Sequence, residues 1–346
     1  MRAAIVGTGF IARVHALALQ AIGVEIAAVC SRTRDGAEEF GTGRAYDDLS
    51  ELVERERIDV LHICTPNAVH AAQAHAAIAR DIHVVCEKPL TVSAHESRAL
   101  LAAAEERGVV HATCYHVRGY PLVEQMRVDV DEGLLGDILF VHGRYLCDDV
   151  LFPASGWRVD PSRSGPSYVV ADLGTHWLDL AEHVTGQHVT AVQVDFRSFA
   201  GGPLEDYAAL LVRFSGGAAG TLLLSAGASG RKNQLLFECE GTMAGLTWDQ
   251  ERPTEMLRRP VDGFRQVVVK DPATNSESAS RLARYPAGHV EGYGQAFRNL
   301  FAAVYAAVAG REHAPFPTFR AGHRGVAIVD AAVRSAHDGG WIDVEL

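Results

Sequence analysis

Asp172, His176 and Asp179 recur at i, i+4 and i+7 within Asp172-Leu173-Gly174-Thr175-His176-Trp177-Leu178-Asp179. On a helix that spacing sets all three on one face. A histidine titrating near neutrality, one turn from a carboxylate, suits general acid–base work. Two other readings compete: a metal site with the histidine and two carboxylates as ligands, and a capping aspartate beside a structural histidine. A second chemically pointed cluster is Glu87-Lys88-Pro89, at the end of a short apolar run. A lysine at the end of a buried strand is costly unless it is used, and Pro89 keeps Lys88 away from the helical region. Lys88 could hydrogen-bond a hydroxyl and stabilise a developing oxyanion. The plain alternative is a Glu–Lys surface pair.

Near the start, the apolar run Ala3–Val6 breaks into Gly7-Thr8-Gly9-Phe10-Ile11-Ala12, and Ile11, Val14, Leu17 and Ala18 follow at helical spacing. A strand, a glycine turn and a helix N-terminus cradle a dinucleotide pyrophosphate. Gly7 would make the tight turn, Gly9 would let the backbone approach the phosphates, and Ala12 would allow close helix–strand packing. The N–H groups opening the helix at Phe10 and Ile11 would face the anion. An ordinary βα turn is the competing reading. At the end of the next apolar run stand Cys30-Ser31-Arg32-Thr33-Arg34, with no acid before Asp35. An acid there would hold the ribose 2′-OH of NAD, whereas Ser31 with Arg32 or Arg34 suits a 2′-phosphate, so the cofactor expected is NAD(P), with NADP favoured. If both arginines are solvated loop charges, dual specificity follows. Thr65-Pro66-Asn67, with His70 after it, closes a third apolar run and would border the nicotinamide side of the cofactor, or simply cap a helix. Glu87 and Lys88 complete that expected cofactor surface.

These residues need elements to hold them. Apolar strands are expected at Val24–Cys30, Ile58–Cys64, Ile82–Cys86 and Val109–Thr113, alternating with helices at 47–56, 66–80 and 93–108. Ser93-Ala94-His95-Glu96 has the form of a capping box, and Gly108 is the expected C′ residue. Continuous apolar strands between helices imply a parallel sheet covered on both faces. After about residue 118 the pattern changes. A helix at 122–132, a long strand Ile138–Leu146, a polar loop at 148–167 and a helix from Asp172 to about Thr185, stopped near Gly186, lead into successive strands from Thr190 to Val269. Helices at 292–309 and 326–337 and a strand at 341–344 follow; Pro272–Ser280 reads as a loop. The expected fold is α/β: a dinucleotide-binding Rossmann domain at 1–118 and, at 119–346, an α+β domain with an open, largely antiparallel sheet for substrate binding and oligomerisation.

Composition excludes several function classes. The chain has 346 residues, 48% hydrophobic and 22% charged, as a soluble globular protein of about two domains has. Its net charge of −11 without a basic block speaks against nucleic acid and anionic membrane as partners. The apolar start is too short for a signal peptide and no run is long enough for a membrane helix, so a cytoplasmic location is expected. Cys30, Cys64, Cys86, Cys114, Cys147 and Cys239 form no C-x-x-C pair and are expected as small buried hydrophobes. No metal is expected.

Taken together, GTGFIA at 7–12, TPN with its following histidine at 65–70, EKP at 87–89, YHVRGYP at 115–121 and DLGTHWLD at 172–179 resemble the Gfo/Idh/MocA oxidoreductases, the family of glucose–fructose oxidoreductase and inositol dehydrogenases. The resemblance covers essentially the whole chain. It implies that Lys88, Asp172 and His176 are the catalytic group. It further implies that His116, Arg118 and Trp157 join them around a sugar or cyclitol substrate, with Arg158, His289 and Glu291 as weaker candidates that loop salt bridges and helix capping would equally explain, and that the protein is a homodimer or homotetramer. His116 stands where relatives often carry Asn, and Ser31 departs from the acid of NAD-preferring relatives. The expected activity is hydride transfer between nicotinamide and a secondary alcohol. A redox-assisted glycoside hydrolase needs the same core residues and stays open. So does an inactive dinucleotide-sensing regulator, against which the intact Lys88, Asp172 and His176 weigh.

Overall fold

A computed structural model describes residues 1–151 and 156–346; part of the expected polar loop, residues 152–155, lies outside the described residues. The chain forms two compact units, Met1–His116 with Tyr293–Val326, and Val117–Gly292 with Ala327–Leu346. This differs from a single break near residue 118, because the stretch from Tyr293 to Val326 belongs with the N-terminal residues. Its helix Tyr293–Val308 buries Phe297, Leu300, Phe301, Val304 and Tyr305 in the same core as Ile5, Leu19 and Val29. Apolar burial on that scale outweighs the long chain excursion between the two segments.

The first unit is built on β1 (Arg2–Val6), β2 (Glu25–Cys30), β3 (Arg44–Tyr46), β4 (Val60–Ile63), β5 (His83–Cys86) and β6 (His111–Thr113). They form one parallel sheet in the order β3-β2-β1-β4-β5-β6. The strands are buried nearly throughout, which is why they read as continuous apolar runs. The order reverses between β1 and β4, and this switch point opens the crevice in which such sheets hold ligands. Two short elements of this unit are not expected from the sequence, β3 and the helix Arg34–Glu38, since three to five residues carry no period. One half of the expected capping box forms, Ser93 Oγ accepting from Glu96 N at 3.3 Å, and Gly108 ends the helix Ala94–Arg107 at φ 64°.

The second unit carries β7 (Ile138–Leu146), β8 (Val189–Arg197), β9 (Tyr207–Phe214), β10 (Ala219–Ser225), β11 (Gln234–Gly241), β12 (Ala244–Asp249), β13 (Glu255–Pro260), β14 (Gln266–Val269) and β15 (Ile342–Asp343). They make a sheet in the order β14-β13-β12-β11-β7-β10-β9-β8-β15, antiparallel except for the pair β7–β10. The helix Thr175–Thr185 lies on it through Trp177, which is fully buried and donates from Nε1 to Leu236 O at 3.0 Å. Gly143 on β7 makes the room: a Cβ there would stand 2.4 Å from Trp177 Nε1. One expectation needs correcting. Within 272–280 the chain enters a helix, Glu277–Leu282, capped by Ser276 Oγ accepting from Ala279 N. The stretch is too polar to show a period, and the buried Ala279 together with a bond from Ser276 N to Gln125 Oε1 fixes it from outside.

Candidate active site

In the first unit the glycine turn follows β1. Gly7 has φ +104° and donates to Cys30 O at 2.8 Å; a Cβ there would lie 2.4 Å from Cys64 O, so only glycine fits. Gly9 caps the helix Phe10–Ala21 with no side-chain partner, and the space its Cβ would take is open. A helix N-terminus of this kind, without an acidic residue in its first turn, fits a pyrophosphate. At the end of β2, Ser31 Oγ lies 3.3 Å from Thr8 Oγ1. Arg32 is exposed and, among the described residues, makes no ion pair, whereas Arg34 pairs with Glu38 at 3.7 Å. These residues would hold the dinucleotide.

After β4 and β5 come the other two clusters. Thr65 donates to Gln73 Oε1 at 2.6 Å, Pro66 and the buried Asn67 complete that turn, and the Lys88–Pro89 peptide is cis. His70 is fully buried, with Nε2 2.9 Å from Thr65 O and Nδ1 3.0 Å from Pro89 O. Its ring thus bridges the two loops, and burial keeps its pKa low. Glu87 is buried rather than part of a surface pair. It accepts from Lys88 N and from His15 Nε2, both at 3.1 Å. Burial alone would raise its pKa; the His15 hydrogen bond first, and then the basic side chains around it, Lys88 among them, outweigh that and lower it. His116 stacks on Phe297 with ring centroids 4.7 Å apart and meets Tyr293 edge-on at 4.8 Å, and burial lowers its pKa to about 3. Tyr293 also stacks on the exposed Phe10 at 6.5 Å, so the glycine turn and His116 share an aromatic neighbour that no periodicity marks.

In the second unit Asp172 sits in a π-helical turn, Val170–Gly174, that runs into the helix Thr175–Thr185. Such turns gather at functional sites. Buried Glu205 accepts from Ser167 Oγ at 2.5 Å and from Tyr168 N at 2.9 Å, satisfying donors before the first turn. At Gly174 a Cβ would press to 2.9 Å from Leu224 Cδ1, so this glycine sets the approach of the turn to β10. The three polar residues have separate partners. Arg158 Nε is 3.4 Å from Asp172 Oδ2, and its guanidinium lies over Trp157 at 4.7 Å. The buried His176 ring stands 6.2 Å from that of Tyr145, whose hydroxyl pKa is raised by burial and by the Asp172 charge. Asp179 accepts from Arg118 at 2.8 and 2.5 Å. The single face expected from the spacing requires an α-helix throughout, whereas Asp172 stands in the π turn before that period begins, and Asp179 is engaged with Arg118 in a mutual fork.

His289 is exposed, its Nδ1 3.3 Å from Ala287 O. Glu291, the weaker substrate candidate, is buried and accepts from Arg284 N and Tyr285 N at 2.6 Å and from Lys270 Nζ at 3.3 Å, which makes it the anchor of its loop. All six cysteines are buried and unpaired. No helix among the described residues is long and apolar enough to cross a membrane.

Two family models match the chain: "Oxidoreductase family, NAD-binding Rossmann fold" over residues 1–115 and "GFO/IDH/MocA C-terminal domain" over residues 123–247. The chain belongs to the Gfo/Idh/MocA oxidoreductase family. Its fold is accordingly an NAD-binding Rossmann unit with a mostly antiparallel C-terminal sheet. An inositol dehydrogenase homolog from Azotobacter vinelandii, solved with NAD+, is 30% identical at a TM-score of 0.91, covering 99% of this chain and 97% of its own. Levoglucosan dehydrogenase of Pseudarthrobacter phenanthrenivorans is 27% identical over 384 residues, 98% of this chain and 97% of that protein. A structure of levoglucosan dehydrogenase with NADH and levoglucosan has a TM-score of 0.91 at 27% identity, covering 100% of this chain and 99% of its own.

Proposed function

We propose that this Gfo/Idh/MocA protein is an NAD(P)-dependent dehydrogenase acting on a secondary alcohol of a sugar, cyclitol or close derivative. One observation carries the reading. The glycine turn after β1, Thr65–Asn67 after β4 and Lys88 after β5 stand at the carboxyl ends of adjacent parallel strands flanking the switch point. A dinucleotide held there would have a cation at its nicotinamide side. The relatives named for inositol and levoglucosan support the substrate class.

When bound, the nicotinamide supplies the acceptor for hydride from the alcohol carbon. His176 takes the hydroxyl proton from the same alcohol. The Lys88 ammonium donates a hydrogen bond to that oxygen and stabilises its alkoxide character. Asp172 orients the substrate or tunes His176, with Arg158 as its partner. His116, held neutral by burial, offers the substrate or nicotinamide one donor and one acceptor. Arg118, Trp157 and His289 are proposed to border the substrate. NADP is the favoured dinucleotide, because Ser31 and the exposed Arg32 suit a 2′-phosphate. A homodimer or homotetramer is proposed as well, and light scattering on the purified protein tests it.

A panel of sugars and inositols, offered with NAD and with NADP and followed by absorbance of the reduced nicotinamide, tests the activity. Reduction with at least one polyol is expected. Cofactor binding without turnover across the panel would count against the reading, and aglycone release from glycosides without net reduction would replace it with the hydrolase.

A further inference from the structure

Four buried polar side chains of the first unit form an unbroken chain. They are Glu87 after β5, His15 on the helix Phe10–Ala21, His62 on β4 and Tyr305 on the helix Tyr293–Val308. His15 Nε2 is 3.1 Å from Glu87 Oε1, His15 Nδ1 is 3.0 Å from His62 Nδ1, and His62 Nε2 is 3.0 Å from Tyr305 Oη. Phe301 closes on both imidazoles, with centroids 4.7 and 4.8 Å away.

Two thiols flank the same ring, Cys64 Sγ 3.3 Å from His15 Nδ1 and Cys114 Sγ 3.7 Å from His15 Nε2, so the placing of the protons belongs to the inference. A carboxylate only accepts, so His15 carries its proton on Nε2. A neutral pair meeting Nδ1 to Nδ1 shares one proton, and His15 has already spent its own. His62 donating from Nδ1 to His15, with its Nε2 accepting from the Tyr305 hydroxyl, is the arrangement in which both short contacts of the His62 ring are hydrogen bonds of a neutral pair. Every link donates towards Glu87.

We propose that Tyr305, His62 and His15 are positioning residues: their one-way hydrogen-bond chain holds Glu87 as a carboxylate of fixed orientation beside Lys88. Glu87 Oε2 in turn accepts from Lys88 N at 3.1 Å, which ties the backbone that aims the lysine. This rests on the catalytic role proposed for Lys88. The groups that face Glu87 are His15 from the first helix, Cys64 at the end of β4, Cys86 on β5, Lys88, and His70, Cys114 and His116 from the neighbouring loops. Burial raises the three thiols and lowers His70 and His116, so all five are neutral near pH 7. Lys88 is then the neighbouring cation, and the chain supplies the donors that keep its counter-charge ionised. The same His15 and Glu87 atoms lie within 4.8 Å of Cys114 Sγ, a spacing a divalent cation could use. The neutral chain already satisfies each ring nitrogen, and we assign the cluster to hydrogen bonding.

Nitrogen NMR of the whole protein, labelled at histidine and recorded across pH, tests the chain directly. His15 is expected as Nε2–H and His62 as the rarer Nδ1–H form, each assigned by its loss in His15→Asn and His62→Gln. An imidazolium at either position at pH 7, His62 protonated on Nε2, or a stoichiometric divalent ion in the purified protein overturns the proposal. Kinetics then separate positioning from mere packing. In His62→Gln the amide can accept from Tyr305 and donate to His15, so the pH profile of kcat/KM is expected to stay in place. In His62→Leu its acid limb is expected to move to higher pH, with kcat falling more than the cofactor KM rises. Identical profiles for the two variants overturn the positioning role. The expected tautomers together with a fully active Lys88→Met would instead refute the role given to Lys88 and leave the chain intact.

Discussion

Asp179 and Arg118 close a two-point fork, Nε to Oδ2 at 2.8 Å and Nη2 to Oδ1 at 2.5 Å, with the aspartate side chain only 4% exposed. Burial nevertheless raises the Asp179 pKa, outweighing the arginine's charge and hydrogen bonds. Removing one partner of such a buried pair costs about 3–5 kcal/mol. Arg118→Leu should therefore lower unfolding free energy at pH 7 by roughly that amount, and the loss should shrink on acidification. The sign follows from linkage: without Arg118 the folded carboxyl binds its proton more readily than the unfolded one, so the penalty fades as pH falls. Arg118→Leu combined with Asp179→Asn should recover most of the loss in urea melts. An additive double variant would show that the pair is not coupled.

Two glycines of one turn should behave oppositely. Gly7→Ala drives a methyl against Cys64 O at a backbone angle of φ +104° and should destabilise the protein without ligand. Gly9→Ala meets open space, so its melting temperature should hold while dinucleotide affinity falls about tenfold or more. Thermal melts with and without NAD and NADP read both effects. Equal losses of stability would remove the argument that the space beside Gly9 is for a ligand.

How far the sequence could be read follows from where its signals are local. The Gly7–Ala12 turn, the Ser93 cap and the whole of β7 are set by neighbours along the chain, and their residue types announce them. His176 and Lys88 stand out because charged or titratable groups at the ends of apolar runs are conspicuous. The π turn at Val170–Gly174 is invisible to a 3.6-residue period. The fork of Arg118 joins it to a residue 61 positions away, and Glu291 is fixed by backbone N–H groups that no side-chain pattern announces. The histidine chain was illegible for the same reason: His15, His62 and Tyr305 sit singly in apolar stretches, and only packing brings them together.

Buried neutral histidines make the fold acid-sensitive. Burial lowers His111 and His183 to about 4 and His116 to about 3, and holds His62 and His70 low as well. A histidine depressed in the fold stabilises above its unfolded pKa, and that stability is lost as pH falls from about 6.5 towards the folded value. Each contributes a slope of about 1.4 kcal/mol per pH unit in that window. Asp179 and Glu205, raised by burial, act in the opposite sense at lower pH. Unfolding between pH 6.5 and 5 should take up several protons, and His116→Asn should reduce the uptake by one. Melts that do not change over this range would refute the neutral assignment.

Catalysis should fall at two residues and separate from cofactor binding at one of them, His176. Lys88→Met and His176→Ala should each cut kcat steeply, since a general acid–base or oxyanion group contributes about 10²–10⁴-fold. Dinucleotide affinity, measured by fluorescence of the reduced form, should change little for His176→Ala, which lies in the other unit from the glycine turn. Near-normal turnover in both variants would end the assignment of roles.

Cofactor choice rests on Ser31 and Arg32. Ser31 stands at the end of β2, where its hydroxyl meets Thr8 Oγ1 and its N–H is taken by Tyr46 O at 3.0 Å, so its backbone is fixed while its side chain can answer a ligand. A carboxylate there would accept from both ribose hydroxyls of NAD and repel a 2′-phosphate. Ser31→Asp should thus strengthen NAD binding relative to NADP by about tenfold or more, which is 1.4 kcal/mol in the difference of affinities. Arg32→Ala should weaken NADP by a similar factor and leave NAD nearly unchanged, because only the phosphate forms a charge-assisted bond with the guanidinium. Arg34 is already paired with Glu38, so Arg34→Ala should have the smaller effect. Salt sharpens the distinction. Raising ionic strength should erode NADP affinity more than NAD affinity in the unaltered protein, and Arg32→Ala should abolish that difference. If NAD and NADP bind with equal affinity before and after both substitutions, the arginines are solvated loop charges and the preference for NADP falls.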